Sequence, residues 1–127
     1  MELWQGAPYE YARGAAGLVF TAGACPLDAT GAVVAPGDYD AQAEQAVRNL
    51  LASLATHGAD SDTLLKTTVY VVARERSDLV RVWNVVERHL GGVPSTLLGV
   101  SVLGYPEQLV EIEAVAATFT DFEHDGG

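Results

Sequence analysis

Two carboxylates inside one apolar run are the chemically odd feature of this chain: Val110-Glu111-Ile112-Glu113-Ala114-Val115-Ala116. β-Branched content and strict alternation mark the run as a strand. Successive side chains of a strand take opposite faces, so Glu111 and Glu113 share one and Val110, Ile112 and Ala114 the other. Two readings stand. The glutamates form a solvated or ion-paired strand face, or one of them sits in a half-buried cleft, where desolvation tunes a carboxylate for general acid–base work. One carboxylate suffices to orient a water; the second could be structural.

The other reactive side chains offer less. His57, His89 and His124 include no i,i+4 pair, and no carboxylate completes a metal-ligand set, so they read as surface or capping residues. Cys25 is the only cysteine, which excludes an intrachain disulfide and a thiolate metal cluster. It has no basic partner nearby in sequence and reads as a small buried apolar residue. Serine-hydrolase, Walker and dinucleotide-binding motifs are absent, and Gly14-Ala15-Ala16-Gly17 precedes a strand rather than a helix. Trp83 reads as core or interface, although tryptophan also lines small-molecule pockets.

The elements that must position these residues follow from periodicity. A short strand is expected around Tyr9–Ala12, a turn at Arg13-Gly14, and a second strand over Leu18–Ala22, ended by Gly23 and Pro26. Asp40 is a candidate N-cap for a helix to about His57, with Val47, Leu50, Leu51 and Leu54 as its apolar stripe and Gly58 at C′. Leu64–Ala73 reads as a strand with Lys66, Thr68 and Tyr70 on one face. Ser77 then caps a helix over Asp78–Leu90, striped by Leu79, Val82, Val86 and Leu90. Thr96–Leu103 and Leu109–Thr118 are the last strands, separated by Gly104, Tyr105 and Pro106. The order is β-β-α-β-α-β-β, an α+β fold with both helices on one sheet face.

That arrangement leaves the other face to be buried. The chain has 127 residues, 49% hydrophobic and only 19% charged, the composition of a single domain that covers surface with copies of itself. Its net charge of −10, from 17 acidic against 7 basic side chains, repels phosphate backbones and anionic membrane surfaces. The tightest basic cluster is Arg74 and Arg76 with Glu75 between them, so neither nucleic acid nor membrane is an expected partner. The first residues lack the basic and apolar regions of a secretion signal, and no apolar run approaches a membrane span. A cytoplasmic protein is expected.

Four stretches, Ala7-Pro8-Tyr9, Val19-Phe20-Thr21-Ala22-Gly23, Leu65-Lys66-Thr67-Thr68-Val69-Tyr70-Val71 and Val110 to Ala116, resemble the RidA/YjgF family of small enamine and imine deaminases. The likeness spans residues 7–118, leaving 1–6 as an N-terminal extension and 120–127 as a flexible acidic tail. It implies a chorismate-mutase-like fold assembled as a homotrimeric barrel, helices outside, with clefts between subunits. It implies hydrolysis of reactive 2-imino or 2-aminoacrylate-type acids, with no metal or organic cofactor.

Carried over by position, the family's cleft tyrosine falls on Tyr9, the ligand-contacting glycine on Gly23 and the water-positioning glutamate on Glu111. Pro94 begins the penultimate strand as in the family. The arginine that grips the substrate carboxylate falls on Thr96, the cleft serine on Ala22, the helix asparagine on Trp83 (with Asn84 adjacent) and the frequent thiol on Leu98. A bidentate arginine supplies charge and orientation, whereas threonine offers one neutral hydroxyl. An imine, enamine or related metabolite without the usual carboxylate is therefore expected, and Arg13 is the only nearby basic candidate to replace the lost charge. A non-catalytic trimer that binds a small metabolite, and a biosynthetic enzyme with other chemistry on the same fold, are the alternatives.

Overall fold

A computed structural model describes residues 3–122. His124 and the acidic end of the tail lie outside the described residues. Five strands, β1 (Ala12–Ala15), β2 (Leu18–Thr21), β3 (Leu64–Val71), β4 (Ser95–Gly99) and β5 (Val110–Ala117), form one sheet in the order β1-β2-β5-β3-β4. Helices α1 (Tyr39–Ala55) and α2 (Arg76–Leu90) pack on one face, with a single 3-10 turn at Ser61–Thr63. The α+β order read from periodicity is the order observed. β3 and β4 are parallel, joined by α2 as a crossover. β5 inserts antiparallel between β2 and β3, so α1 also links two parallel strands, with one strand between them.

The core lies between sheet and helices. Val19, Val69, Val71, Val110, Ile112 and Ala116 from the sheet meet Ala43, Ala46, Val47, Leu50, Leu54, Val82 and Val86 from the helices, all essentially without solvent exposure. The opposite, open face carries Phe20, Lys66, Thr68, Tyr70, Thr96, Leu98, Glu111, Glu113 and Val115. Phe20 is 49% and Leu98 44% exposed there.

Several boundaries differ from those expected, each for a local reason. β1 starts at Ala12 rather than Tyr9, because the tyrosines before it make ring contacts and only Tyr11 joins the ladder, accepting from the Ala22 N–H. Arg13-Gly14 lies within β1. The turn is Ala16-Gly17, both with positive φ (53° and 78°), as a two-residue hairpin loop demands. Asp38, not Asp40, caps α1, its side chain accepting from the Ala41 N–H at 3.0 Å. α2 begins before Ser77, at Arg76, where the Asp78 carboxylate accepts the N–H groups of Arg74 and Glu75. β4 ends at Gly99 instead of Leu103; the Val100 N–H makes a last bond to the Val71 carbonyl.

Candidate functional site

Two loops meet over the Glu111 end of β5. The first, residues 22–27, leaves β2 and returns to β5 at one bridge, where Ala24 and Ile112 exchange N–H···O bonds of 2.6 and 3.1 Å. The second, residues 104–109, precedes β5 itself. Both are tied down by buried polar side chains of α1. Asn49 Nδ2 donates to the carbonyls of Cys25 and Leu27, both at 2.8 Å. Gln42 Nε2 donates to the Glu107 carbonyl at 3.0 Å, while its Oε1 accepts the Leu109 N–H at 2.8 Å. Buried amides satisfied in this way hold loop backbone rigidly.

Between the loops the Glu111 carboxylate is closely surrounded. The Cys25 thiol, 3.4 Å from Oε1, shares its proton between that oxygen and the Gly23 carbonyl, also at 3.4 Å. Gln108 Nε2 lies 3.3 Å from Oε1 and donates to the Val110 carbonyl at 3.0 Å. The other carboxylate oxygen lies against Gly23, so closely that a Cβ there would come within 2.3 Å of it. Glycine is required by this approach and not by an unusual backbone angle. Burial, the Glu111 charge and the hydrogen bond to that carboxylate push the Cys25 thiol up to about 12. Cys25 is therefore a fixed proton donor at neutral pH and not a nucleophile.

The Tyr9 phenol lies near the Cys25 thiol, close enough for the two to interact electrostatically. It also meets the Tyr105 hydroxyl at 3.1 Å. Burial first, and the bond to Tyr105 second, raise the Tyr9 phenol well above its usual value. Tyr9 packs edge-to-face on Tyr11 (5.7 Å between centroids), and Trp4 packs likewise on Tyr105 (6.5 Å). The Tyr11 hydroxyl donates to the Trp4 carbonyl at 2.5 Å. A Cβ on either Gly6 or Gly31 would strike the Trp4 ring, so these two glycines fix its seat.

The expected residues thus divide. Tyr9, Gly23 and Glu111 come together. Thr96 and Leu98 share their sheet face but lie beyond β3, opposite Thr68 and Tyr70. Two strand spacings put Leu98 roughly 10 Å from Glu111. Trp83 packs against the core from α2, on the helix-covered side of the sheet, so one chain does not bring it to Glu111. Arg13 pairs with Phe20 on the row of Val115, two rows along the face from Glu111, so one chain does not bring it to Glu111. The cation at Thr96 is instead Lys66, whose Nζ donates to Thr96 Oγ1 at 2.8 Å and to the Thr67 carbonyl at 3.1 Å. Glu113 belongs to that second neighbourhood. It accepts a 2.5 Å bond from the Tyr70 hydroxyl and lines a cavity of about 230 Å³ with Lys66, Thr68 and Phe20.

Sequence reasoning missed Cys25, Tyr105 and Gln108 as members of the Glu111 cluster. Cys25 has no local motif; it reaches Glu111 across 86 residues. Tyr105 and Gln108 stood in a segment read only as a strand break, and only the density of polar residues just before Glu111 hinted at them. Among the described residues, no group of three or more His, Cys, Asp or Glu is placed to hold a metal ion, and no helix is long and apolar enough to cross a membrane.

Comparison with known proteins adds an independent line. The family model described as endoribonuclease L-PSP matches residues 3–118. The chain is 33% identical over 102 residues to protein DfrA of Myxococcus xanthus, covering 80% of this chain and 76% of that one. It is 28% identical over 110 residues to a RutC family protein of Pyrococcus abyssi, covering 86% and 85%. Among solved structures it is similar to YyfA of Yersinia pestis, described as a Rid family protein of unknown function. The TM-score is 0.77 with 28% identity, over 87% of this chain and 88% of that one.

Proposed function

The chain belongs to the RidA/YjgF family, and from that premise we propose that it hydrolyses a small reactive imine or enamine in a cleft between subunits of a homotrimer. One observation carries the reading: the Glu111 carboxylate, held by Cys25 and Gln108 against Gly23, with Tyr9 on the far side of the thiol. Glu111 takes a proton from a water as its oxygen bonds to the imine carbon, and the C=N π pair moves to nitrogen. The nitrogen takes that proton back, and a second one from solvent, so that the carbinolamine carries –NH3+. The C–N bond then breaks with formation of the carbonyl, the hydroxyl proton leaving to Glu111 or solvent and ammonia departing. The Tyr9 hydroxyl contacts the substrate, and main chain at Gly23 adds hydrogen bonds.

Thr96 and Leu98 would complete the cleft from the open face, with Trp83 contributing from the helix layer of a neighbouring chain. The exposed Phe20 and Leu98 support assembly through that face, and a mass three times the 13.4 kDa chain in sedimentation checks it. Threonine in place of the arginine disfavours 2-imino acids and favours a substrate without a carboxylate. The test is ammonia release from freshly generated 2-iminopropionate and from an N-unsubstituted aryl imine, for the native chain and Glu111→Gln. Turnover of the aryl imine that vanishes in the variant is the expected result. Turnover untouched by Glu111→Gln would sink the mechanism.

A binding role without turnover is favoured by the same loss of arginine and by Ala22 at the serine position; saturable binding with no product would establish it. Ribonuclease activity, suggested by the name of the family model, is disfavoured by the net charge of −10.

A further inference from the structure

Lys66 stands on the open face without an acidic partner. Among the described residues the ion pairs are Arg81–Asp40, Arg88–Glu44 and His89–Glu44. Lys66 pairs with Val115 and Thr68 with Glu113, so Lys66 and Glu113 are diagonal neighbours, near enough for long side chains to meet. Each turns to a neutral group instead. Glu113 accepts from the Tyr70 hydroxyl. The Lys66 Nζ goes the other way, toward β4, to Thr96 Oγ1 at 2.8 Å, and also bonds the Thr67 carbonyl at 3.1 Å. In a chain with 17 acidic side chains against 7 basic ones, a cation held only by neutral oxygens keeps its charge for a ligand.

An ammonium has three donors and a hydroxyl has one. Lys66 uses two, and Thr96 accepts in the bond between them, so one N–H and one O–H remain side by side. Such a pair suits the two oxygens of a carboxylate. Glu113 stays on the β5 side of β3, roughly 10 Å from Thr96. Glu111 and Thr96 are two strands and one row of side chains apart, roughly 12 Å between backbones. A water on Glu111 and a hydrogen bond at Lys66 take up roughly 3 Å each, which leaves roughly 6 Å for the ligand. A benzene ring with a carbon at either end has that span. Tyr70 and Leu98, paired across β3 and β4, lie between the two ends and give the ring an apolar floor.

We infer that the cleft selects an N-unsubstituted aryl imine with a carboxylate across the ring from the imine carbon. The imine lies at Glu111, the ring over Tyr70 and Leu98, and the carboxylate on Lys66 and Thr96. A carboxylate on the imine carbon itself, as in 2-imino acids, does not span that distance. Threonine at the arginine position withdraws charge from the near carboxylate, and Lys66 supplies it to the far one. This names the substrate class of the proposed hydrolase and rests on that reading for the imine end alone.

The experiment compares kcat/KM for ammonia release from three freshly generated aryl imines: unsubstituted, para-carboxy and ortho-carboxy. Calorimetry on the matching aldehydes, benzaldehyde, para-formylbenzoate and ortho-formylbenzoate, reads binding without turnover. The para-carboxy compounds should exceed the unsubstituted ones about tenfold in both measurements, and the ortho-carboxy compounds should show no gain. Lys66→Met keeps the aliphatic stem and the native circular dichroism, and should cut the ratio of para-carboxy to unsubstituted severalfold. Lys66→Arg keeps a charge and should retain the preference.

No para-carboxy advantage over the unsubstituted or the ortho-carboxy compounds, a ratio unaltered in Lys66→Met, or no saturation by any of the aldehydes would each overturn the inference. Glu111-dependent turnover of the unsubstituted imine alongside such a result would leave the hydrolase reading standing. Lys66-dependent binding of para-formylbenzoate with no turnover of any imine would do the reverse.

Discussion

Glu111 and Glu113 leave the same strand on the same face, two residues apart, and end in different chemistry. Glu113 faces the middle of the sheet, where β3 supplies Tyr70 and Thr68 as neighbours, and its partner is a phenol whose own ionisation is pushed up to about 12 by that hydrogen bond first and by burial second. Glu111 pairs with Tyr70 of β3 on one side, but on the other β5 meets only the single bridge of the 22–27 loop, and residues of the two loops close over the carboxylate with a thiol, an amide and a glycine. The same residue type thus becomes an acceptor for a phenol in one case and a carboxylate positioned by loop groups in the other. What differs is the rigidity and chemistry of the neighbour, not the strand.

The sharpest way to break this comparison is to neutralise each carboxylate in turn. Glu111→Gln should lower imine hydrolysis about 10²–10⁴-fold, the range of a lost general base, while Glu113→Gln should change it less than tenfold; equal losses would erase the distinction. Cys25 offers the next largest effect. With its value raised from 9.0 to about 12, the native thiol should react with iodoacetamide at pH 8 about two to three orders of magnitude more slowly than in denaturant. The sign for stability follows: the folded chain keeps a proton that the unfolded chain releases, so this contribution is full below about pH 9 and is lost as pH climbs toward 12.

The supports of the Glu111 side can be cut separately. Asn49→Ala leaves the carbonyls of Cys25 and Leu27 without their donor and should destabilise the fold by about 2–3 kcal/mol in denaturant titration. Gly23→Ala drives its Cβ into the Glu111 side chain from Cγ to Oε2, so the carboxylate must move; stability should fall by about 1 kcal/mol and Glu111-dependent turnover should drop at least tenfold. Tyr70→Phe removes the Glu113 partner and should cost about 1 kcal/mol of stability with turnover retained.

Much of this was legible in order and periodicity. The alternation of β5 assigns Glu111 and Glu113 to one face without any structure, since a strand has period two. The stripe Val47, Leu50, Leu54 fixes the buried side of α1, and the four family-like stretches led to the fold. Boundaries slipped by two to four residues where side chains outcompeted propensity, as with the tyrosines before β1 and the Asp38 cap. Polar residues were the harder case. Asn49 and Gln42 look like ordinary helix polar positions, and nothing local says that they are buried and hold two loops.

Sequence by itself therefore determined the fold and the face on which the glutamates stand, because these depend on local periodicity and residue identity. Tertiary structure alone decided which glutamate is enclosed, that Lys66 and not Arg13 meets Thr96, and that Cys25 and Tyr105 join Tyr9 at Glu111. Those contacts join residues 30 to 96 positions apart. Their geometry is set by strand order and loop closure, which no local pattern encodes.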